Sequence, residues 1–320
     1  MKDISVVIPI YNEEAVIPEL YQRLTTAVRQ VSDDYELIFV NDGSKDRSLI
    51  KLVELSHQDD HVFFINFSRN FGHQIAVTAG LDACKGSAVV IIDGDLQDPP
   101  ELIPELYAKY QEGYEVVYAK RATRKGEGAF KKITAKLFYR ILQQLTAINI
   151  PVDTGDFRLI DHKVVRHLKQ MPEQNKFLRG QIAWLGFKQT QVLFNRDKRR
   201  YGTTGYSVSK MLQFAMDGIT SFSDKPLQLV TRSGILISIL ATLCTLYTLG
   251  LYLMGNVSIK GWSWILLMSM FIGGLQLVAI GIAGEYISRI SKNVTNRPLY
   301  IIEQTNIPEG HSLSAFQATR

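Results

Sequence analysis

Two long segments without a charged residue lie near the carboxyl end of this 320-residue chain. They span 234–254 and 262–284, and neither contains Asp, Glu, Lys or Arg. An α-helix of about twenty apolar residues crosses the ~30 Å hydrocarbon core of a bilayer. A buried core helix is the alternative for either segment, but two in tandem are hard to enclose in a water-soluble domain. The pattern predicts a pair of transmembrane helices over 233–286.

The basic residues around this pair predict its orientation. The net charge is +5, and Lys and Arg accumulate before the first span and after the second, whereas the link at 255–261 carries only Lys260. Because excess Lys and Arg mark the cytoplasmic side, both termini are expected in the cytoplasm. No cleavable signal peptide is apparent, so a multi-pass protein of the plasma or inner membrane with a cytoplasmic main domain is predicted. The basic residues form no nucleic-acid recognition motif, and nucleic acid is not an expected partner.

The first 120 residues alternate between β-branched runs and segments of helical spacing. The predicted strands are 4–10, 35–41, 62–67, 88–93 and 115–119, and the predicted helices are 13–30, 45–57, 72–84 and 101–111. Nearly continuous apolar strands that alternate with helices are typical of a mostly parallel sheet with helices on both faces. Ligands of such α/β folds bind beyond the carboxyl ends of the strands.

The chain is accordingly divided into four parts. An α/β domain covers 1–206, amphipathic juxtamembrane helices cover 207–232, the transmembrane pair covers 233–286, and a cytoplasmic tail covers 287–320. The apolar face within 207–222 suits either the membrane interface or core packing. From Glu303 onward the tail is polar and without periodicity, which predicts disorder.

The segment Asp93-Gly94-Asp95 follows a predicted strand and is the most informative short motif. Asp93, Asp95 and Asp98 place three carboxylates within six positions, and such groups repel one another unless a cation is present. Oxygen ligands suit Mg²⁺ or Mn²⁺. We assign Asp95 to the metal and predict that Asp98 caps the helix that Pro99 and Pro100 open.

Two other predicted strands end in residues that suit a nucleoside. Asp42 can accept from a base N–H or a ribose hydroxyl, although Asp-Gly is also a common turn dipeptide. After the first strand, Tyr11 can stack on a base while Glu13 accepts from it. The chain lacks both Gly-x-Gly-x-x-Gly at this point and a Walker A sequence, which argues against a nicotinamide dehydrogenase and a P-loop enzyme.

The order of four motifs resembles that of family 2 inverting glycosyltransferases, and with the apolar pair the chain is similar to polyprenyl-phosphate (bactoprenol) glucosyltransferases, relatives of dolichol-phosphate mannose synthase. The resemblance covers roughly 1–300 and implies a GT-A type, Rossmann-like α/β catalytic domain. The motifs are 9–13, 41–44, 93–99 and the turn at 155–159, which belongs to the acidic segment 153–158.

The resemblance also implies roles for individual residues on the donor side. The residues expected to contact the nucleoside are Pro9, Tyr11, Glu13, Asp42 and Asp93. The metal, Mg²⁺ or Mn²⁺, is expected on Asp95 and Gln97, with Asp93 close by. Asp95 and Asp156 are the catalytic candidates. Asp156 matches the position of the catalytic base, and is interpreted as a base or an orienting carboxylate with Arg158 as its partner; a structural ion pair is the alternative.

An acceptor phosphate beside the membrane requires cations, and the sequence supplies them on both sides of the domain. Interfacial snorkelling is the alternative role for such side chains, and the sequence does not choose between Lys131 and Lys132. The candidate acceptor residues are Arg121, Lys131, Lys132, Arg200, Ser207 and Lys210.

The expected reaction moves one hexose, glucose from UDP-glucose, to a polyprenyl phosphate by metal-dependent inverting displacement. The alternatives are GDP-mannose as donor, a diacylglycerol or ceramide hydroxyl as acceptor, or an inactive membrane scaffold. The chain lacks Gln-x-x-Arg-Trp, the motif of processive synthases, which favours single-sugar transfer. His73 has no evident metal partner and is expected to hydrogen-bond at the sheet edge. The oligomeric state stays open, with a homo-oligomer among the possibilities.

Overall fold

A computed structural model describes residues 2–121, 154–194, 225–254 and 262–308. Within these ranges the strands are β1 Ile4–Ile10, β2 Tyr35–Asn41, β3 Val62–Phe67, β4 Ala88–Ile91, β5 Val116–Arg121, β6 Thr154–Asp161, β7 Gln189–Phe194 and β8 Ile302–Thr305. The helices are α1 Ile17–Arg29, α2 Ser48–Gln58, α3 His73–Ala83, α4 Ile103–Gln111, α5 His162–Lys169, α6 Leu178–Trp184, α7 Lys225–Leu253 and α8 Trp262–Thr295.

The described strands form one sheet in the order β7-β5-β6-β4-β1-β2-β3-β8. β1 pairs in parallel with β2 and β4, and the β2–β3 and β5–β7 pairs are also parallel. Side chains of β1 alternate between two cores: Val6 packs in the core with α1, whereas Val7 packs in the core with α3 and α5. The predicted α/β architecture, a mostly parallel sheet covered on both faces, is confirmed.

Strand β6 corrects the prediction of an acidic turn at 153–158. It runs antiparallel between β4 and β5, with Ile91 opposite Arg158. Phe157 and Leu159 enter one core and Ile160 enters the other, all fully buried. The apolar half of β6 therefore holds the segment in the sheet, and the acidic residue at its amino end becomes part of a strand.

The predicted disorder from Glu303 onward is wrong for the residues up to 308. β8 pairs antiparallel with β3 at the sheet edge, and Glu303 accepts a hydrogen bond of 3.0 Å from Asn66 Nδ2. Just before β8, Tyr300 stacks on Phe67 with ring centroids 5.2 Å apart, and its hydroxyl donates to Asp82 Oδ2 over 2.9 Å. The polar composition of this segment did not indicate a strand because β8 is an edge strand, which has one solvated side.

Tyr300 is expected to anchor this carboxyl-terminal segment. Its side chain is only 1% exposed, so Tyr300→Ala should lower the free energy of unfolding by about 3–5 kcal/mol. Tyr300→Phe keeps the ring and removes only the hydrogen bond to a carboxylate, so a loss of about 1.5–3 kcal/mol is expected. Denaturant unfolding of both variants in detergent measures the difference. Equal stability of the Ala variant and the wild type would contradict an anchoring role.

The uncharged segment 234–254 overlaps α7, which begins earlier and ends one residue before it, and 262–284 lies within α8, which continues beyond it. Among the described residues, Phe271–Thr295 is long and apolar enough to cross a membrane, with 25 residues, a mean hydropathy of 1.4 and no part buried. Helix α7 also exposes large apolar side chains, among them Leu236, Leu240 and Leu243. The two-span arrangement and the boundaries at 206, 232 and 286 stay predictions, and 207–224 lies outside the described residues.

Candidate active site

The carboxyl ends of the parallel strands β1, β2 and β4 lie at one edge of the sheet, and the amino end of β6 reaches the same edge because β6 is antiparallel to β4. Asp93 follows β4, and Asp156 lies near the start of β6. Two carboxylates far apart in sequence therefore meet at the edge where α/β proteins bind their ligands.

His73 joins these two carboxylates. Its Nε2 atom lies 3.0 Å from Asp156 Oδ2 and 3.5 Å from Asp93 Oδ1. One potential ligand atom from each of the three residues lies within 4.8 Å of the others, close enough to hold a metal ion. The expected hydrogen bond of His73 at the sheet edge is confirmed by its contact with Asp156, and the two carboxylates are additional candidate metal ligands beside it. His73 opens α3 after Gly72, whose φ of 105° favours glycine, and the strand-end rule applied to β3 would have found it.

Arg179 is the main partner of Asp156, and Arg158, the predicted partner, forms a longer ion pair with it. Arg179 Nε donates to Asp156 Oδ1 over 2.7 Å, whereas Arg158 Nη2 is 3.7 Å from that oxygen and donates instead to the backbone carbonyl of Gly155. Gln74 Nε2 adds a contact of 3.4 Å to Asp156 Oδ2. Arg179 comes from α6, and no motif in the sequence pointed to it.

The surroundings of this cluster shift the pKa values of Asp93 and Asp156 in opposite directions. Burial raises the pKa of Asp93, and the charges of Asp156 and Asp95 add to that rise against the effect of His73. Burial also acts to raise the pKa of Asp156, but the charge of Arg179 and the hydrogen bond from His73 hold it well below its usual range. Burial opposes protonation of His73, yet its bond to Asp156 and the charge of Asp93 raise its pKa to about 9. Near neutral pH, an ionised Asp156 faces a protonated His73.

The turn after β4 has carboxylate oxygens that suit a hard divalent cation as ligands. Asp95 Oδ1 accepts the backbone N–H of Gln97 over 3.1 Å. Asp93 Oδ1 is buried and has no hydrogen-bond partner among the described residues. A Cβ at Gly94 would lie 2.6 Å from Ile10 Cδ1, so glycine lets this turn pack directly on the end of β1. Carboxylate oxygens arranged in this way suit Mg²⁺ or Mn²⁺.

Asp98 does not cap a helix. Pro99 is extended, with φ −74° and ψ 121°, and is itself the cap residue of the short 3₁₀ turn Pro100–Leu102, which has no side-chain cap. Asp98 is instead 1% exposed. The helical turn begins one residue later than the two prolines suggested, which moves Asp98 out of the capping position.

The predicted nucleoside residues surround the ends of β1 and β2. Asp42 is buried, and its carboxylate accepts from the backbone N–H groups of Phe71 over 2.7 Å and Gly72 over 3.0 Å. Tyr11 is 46% exposed, and the N–H of Glu13 donates to Ser48 Oγ over 3.1 Å. Pro9 pairs with Val40 within the sheet. The structure thus brings these residues to the same edge as Asp93.

Of the residues predicted to bind the acceptor, only Arg121 lies in the described part of the chain. Arg121 ends β5 and pairs with Phe194 of β7. The remaining acceptor candidates lie outside the described residues: Lys131, Lys132, Arg200, Ser207 and Lys210.

Comparisons with known proteins show similarities in fold and in sequence. The crystal structure of glucosyl-3-phosphoglycerate synthase from Mycobacterium tuberculosis in complex with Mn²⁺, uridine-diphosphate and phosphoglyceric acid covers 68% of this chain and 76% of that chain, at 19% identity and a TM-score of 0.48. Uncharacterized glycosyltransferase YkcC of Bacillus subtilis (strain 168) is 53% identical over 301 residues, which cover 94% of this chain and 93% of the relative.

Two further similarities concern sequence. The SfII prophage-derived bactoprenol glucosyl transferase of Shigella flexneri is 38% identical over 303 residues, which cover 95% of this chain and 98% of the relative. The family model described as glycosyl transferase family 2 matches residues 5–169. The chain therefore belongs to glycosyl transferase family 2 and is a glycosyltransferase with a GT-A type fold.

Proposed function

We propose that this enzyme transfers a single glucose from UDP-glucose to a polyprenyl phosphate at the cytoplasmic face of the membrane, with inversion at the anomeric carbon. The observation that carries the proposal is the meeting of Asp93, Asp95 and Asp156 at the edge of the sheet that also exposes Tyr11. The name of the Shigella flexneri relative supports the glucosyl unit and the lipid carrier. The apolar stretch Phe271–Thr295 supports a lipid acceptor within reach.

The donor nucleoside is proposed to lie against Pro9, Tyr11, Glu13, Asp42 and Asp93. Tyr11 supplies an exposed ring for a base to stack on. Asp42 already accepts two backbone N–H groups, but a carboxylate offers about four lone-pair sites, which leaves acceptor capacity for the nucleoside. Because the same carboxylate holds the 71–72 backbone, it also sets the position of His73.

Asp95, Gln97 and Asp93 are proposed to hold Mg²⁺ or Mn²⁺ beside the diphosphate. Such a cation, when bound, stabilises the charge that develops on the departing nucleoside diphosphate. The three residues would orient the diphosphate, and a bound cation would offset the repulsion between the Asp93 and Asp95 carboxylates.

Asp156 is proposed to orient the reacting groups. A polyprenyl phosphate has a second pKa near ~6, as phosphorylated side chains do, and is largely ionised at pH 7. Its oxygen forms the new bond to the anomeric carbon as the bond to the nucleoside diphosphate breaks, so little proton transfer is required. Asp156 is a weak base because Arg179 and His73 stabilise its ionised form. We therefore propose that Asp156 holds the side chains of Arg179 and His73 in position at the site.

The acceptor phosphate is proposed to meet Arg121, Lys131, Lys132, Arg200, Ser207 and Lys210. A neutral hydroxyl acceptor, as in diacylglycerol or ceramide, would need a stronger base than Asp156 provides, and it gains little from so many cations. GDP-mannose remains the alternative donor, since the residues that contact a nucleoside do not by themselves specify the base.

A transfer assay tests the proposal directly. The full chain in lipid nanodiscs is incubated with undecaprenyl phosphate and radiolabelled UDP-glucose, UDP-galactose or GDP-mannose, with Mg²⁺ or Mn²⁺ present. We expect labelled glucosyl lipid phosphate from UDP-glucose, with inverted anomeric configuration. Label in ceramide or diacylglycerol, label from GDP-mannose alone, or no labelled lipid phosphate would each contradict the corresponding part of the proposal.

Substitution of Gly94 tests the metal-binding turn without mutating any residue proposed as a metal ligand. A Cβ at this position would lie 2.6 Å from Ile10 Cδ1 and 3.0 Å from the carbonyl oxygen of Pro9. Gly94→Ala should therefore displace the flanking carboxylates and lower sugar transfer about 10-fold to 100-fold. Adding Ile10→Val removes the closer atom and should restore part of the activity. A single variant as active as the wild type would show that the turn tolerates the shift.

A further inference from the structure

The carboxyl end of α8 is hydrogen-bonded to the loop between α5 and α6. The backbone N–H of Gln174 donates to Asn293 Oδ1 over 3.0 Å, and Gln174 Nε2 donates to Asn296 Oδ1 over 3.2 Å. Asn293 lies in the last turns of α8, and Asn296 immediately follows the helix with a φ of 45°. The helix that contains the candidate membrane span is thus tied to Gln174 by two side chains.

The same loop leads directly to Asp156. The backbone N–H of Leu178 donates to Gln74 Oε1 over 3.1 Å, and Gln74 Nε2 lies 3.4 Å from Asp156 Oδ2. The next residue, Arg179, donates to Asp156 Oδ1 over 2.7 Å. The loop that contains Gln174 therefore leads to two of the groups that contact the Asp156 carboxylate, Gln74 and Arg179.

The loop borders a cavity of about 330 Å³ whose walls include Gln174, Lys176, Leu178 and Asn296. Inside the loop, Lys176 Nζ donates to the carbonyl of Met171 over 2.6 Å. Toward α6, Glu173 Oε2 accepts from Gln181 Nε2 over 3.1 Å. The bonds from Gln174 to Asn293 and Asn296 connect this loop to α8.

We propose that Asn293 and Asn296 are positioning residues, which act through Gln174 and Arg179 to orient Asp156, so that sugar transfer depends on how α8 docks on the catalytic domain. The inference rests on the role given to Asp156 in the proposed function. It adds a physical link between the membrane-proximal helix and the reacting groups, separate from any role of α8 in anchoring the chain.

Steady-state kinetics of the full chain in nanodiscs test this link. The truncations are Asn293→Ala and, because of its positive φ, Asn296→Gly. The doubly truncated enzyme should lose about tenfold in kcat, with the KM for the donor within twofold of wild type, since the proposed nucleoside residues lie on other strands. Asn293→Asp and Asn296→Asp each keep an acceptor oxygen and should retain near wild-type kcat. Val294→Ala, at a 78% exposed position of the same turn, is the matched control.

Hydrogen–deuterium exchange supplies a readout that does not depend on activity. In the doubly truncated enzyme, the amides of Gln174 and Leu178 and the peptide that contains Asp156 should exchange faster than in wild type. Unchanged exchange overturns the inference, as does faster exchange with kcat within twofold of wild type, or an Asp variant that behaves like the truncation. If the wild type transfers sugar from none of the donors, the proposed function fails. The link between α8 and Asp156 is then tested by hydrogen–deuterium exchange only, measured on the peptide that contains Asp156.

Discussion

Asp95→Ala is expected to lower sugar transfer about 10³-fold, the largest single effect at the donor end of the site. The carboxylate is proposed to carry the cation that stabilises the leaving diphosphate, and its loss leaves Asp93 as the only charged residue of the three proposed ligands. The substitution also removes the acceptor for the N–H of Gln97, so part of any loss would come from the turn itself. Asp95→Asn separates the two causes, because its amide oxygen still accepts from Gln97 while the negative charge is gone.

Both Asp95 variants should lose Mn²⁺ binding, which electron paramagnetic resonance measures in the presence of UDP without any turnover. Asp60→Asn, at an exposed position just before the amino end of β3 and so away from the carboxyl ends of the strands, is the control for a general change in charge. Full transfer by the Ala variant would refute the assignment of the metal to Asp95 and Gln97. The group formed by His73, Asp93 and Asp156 would then be the metal candidate, since its ligand atoms already lie within 4.8 Å of one another.

The predictable part of the fold is the part with strong apolar patterning. β1, β2 and β3 have the predicted bounds because nearly continuous Val, Ile and Phe mark strands that are buried on both faces. β6 was missed because Gly155 and Asp156 give its first half the composition of a turn, and its pairing partners lie far away in sequence. β8 was missed because an edge strand needs few apolar residues.

The site likewise has a part that the sequence predicted and a part that it did not. The strand-end rule predicted the edge where Asp42 and Asp93 lie. The resemblance to family 2 pointed to Asp156, and that resemblance is confirmed by the family match. His73 obeys the same rule but stands at a helix start, and its partners Asp93 and Asp156 lie far from it in sequence. Arg179 reaches Asp156 from α6, a helix whose place against the sheet is set by tertiary packing. A contact of that kind has no local sequence signal.

Asp156→Asn is expected to lower kcat about 10²-fold to 10³-fold while the KM for the donor changes little. The amide still accepts from Arg179 Nε, so the local geometry is kept, but the charge that attracts both His73 and Arg179 is lost. These two cations are then free to take other positions, and the electrostatic field at the reacting groups changes. Arg179→Ala removes the 2.7 Å bond from the other side and should lower kcat to a similar extent.

A double-mutant cycle distinguishes an orienting carboxylate from an independent base. If Asp156 acts by holding Arg179, the variant with both substitutions should be little worse than either single variant, because both remove the same interaction. If Asp156 is a base that accepts a proton on its own, the two losses should multiply. The second outcome would contradict the orienting role. It would also imply that the acceptor brings a proton to be removed, which a hydroxyl does and an ionised lipid phosphate does not, so the same cycle reports on the chemical class of the acceptor.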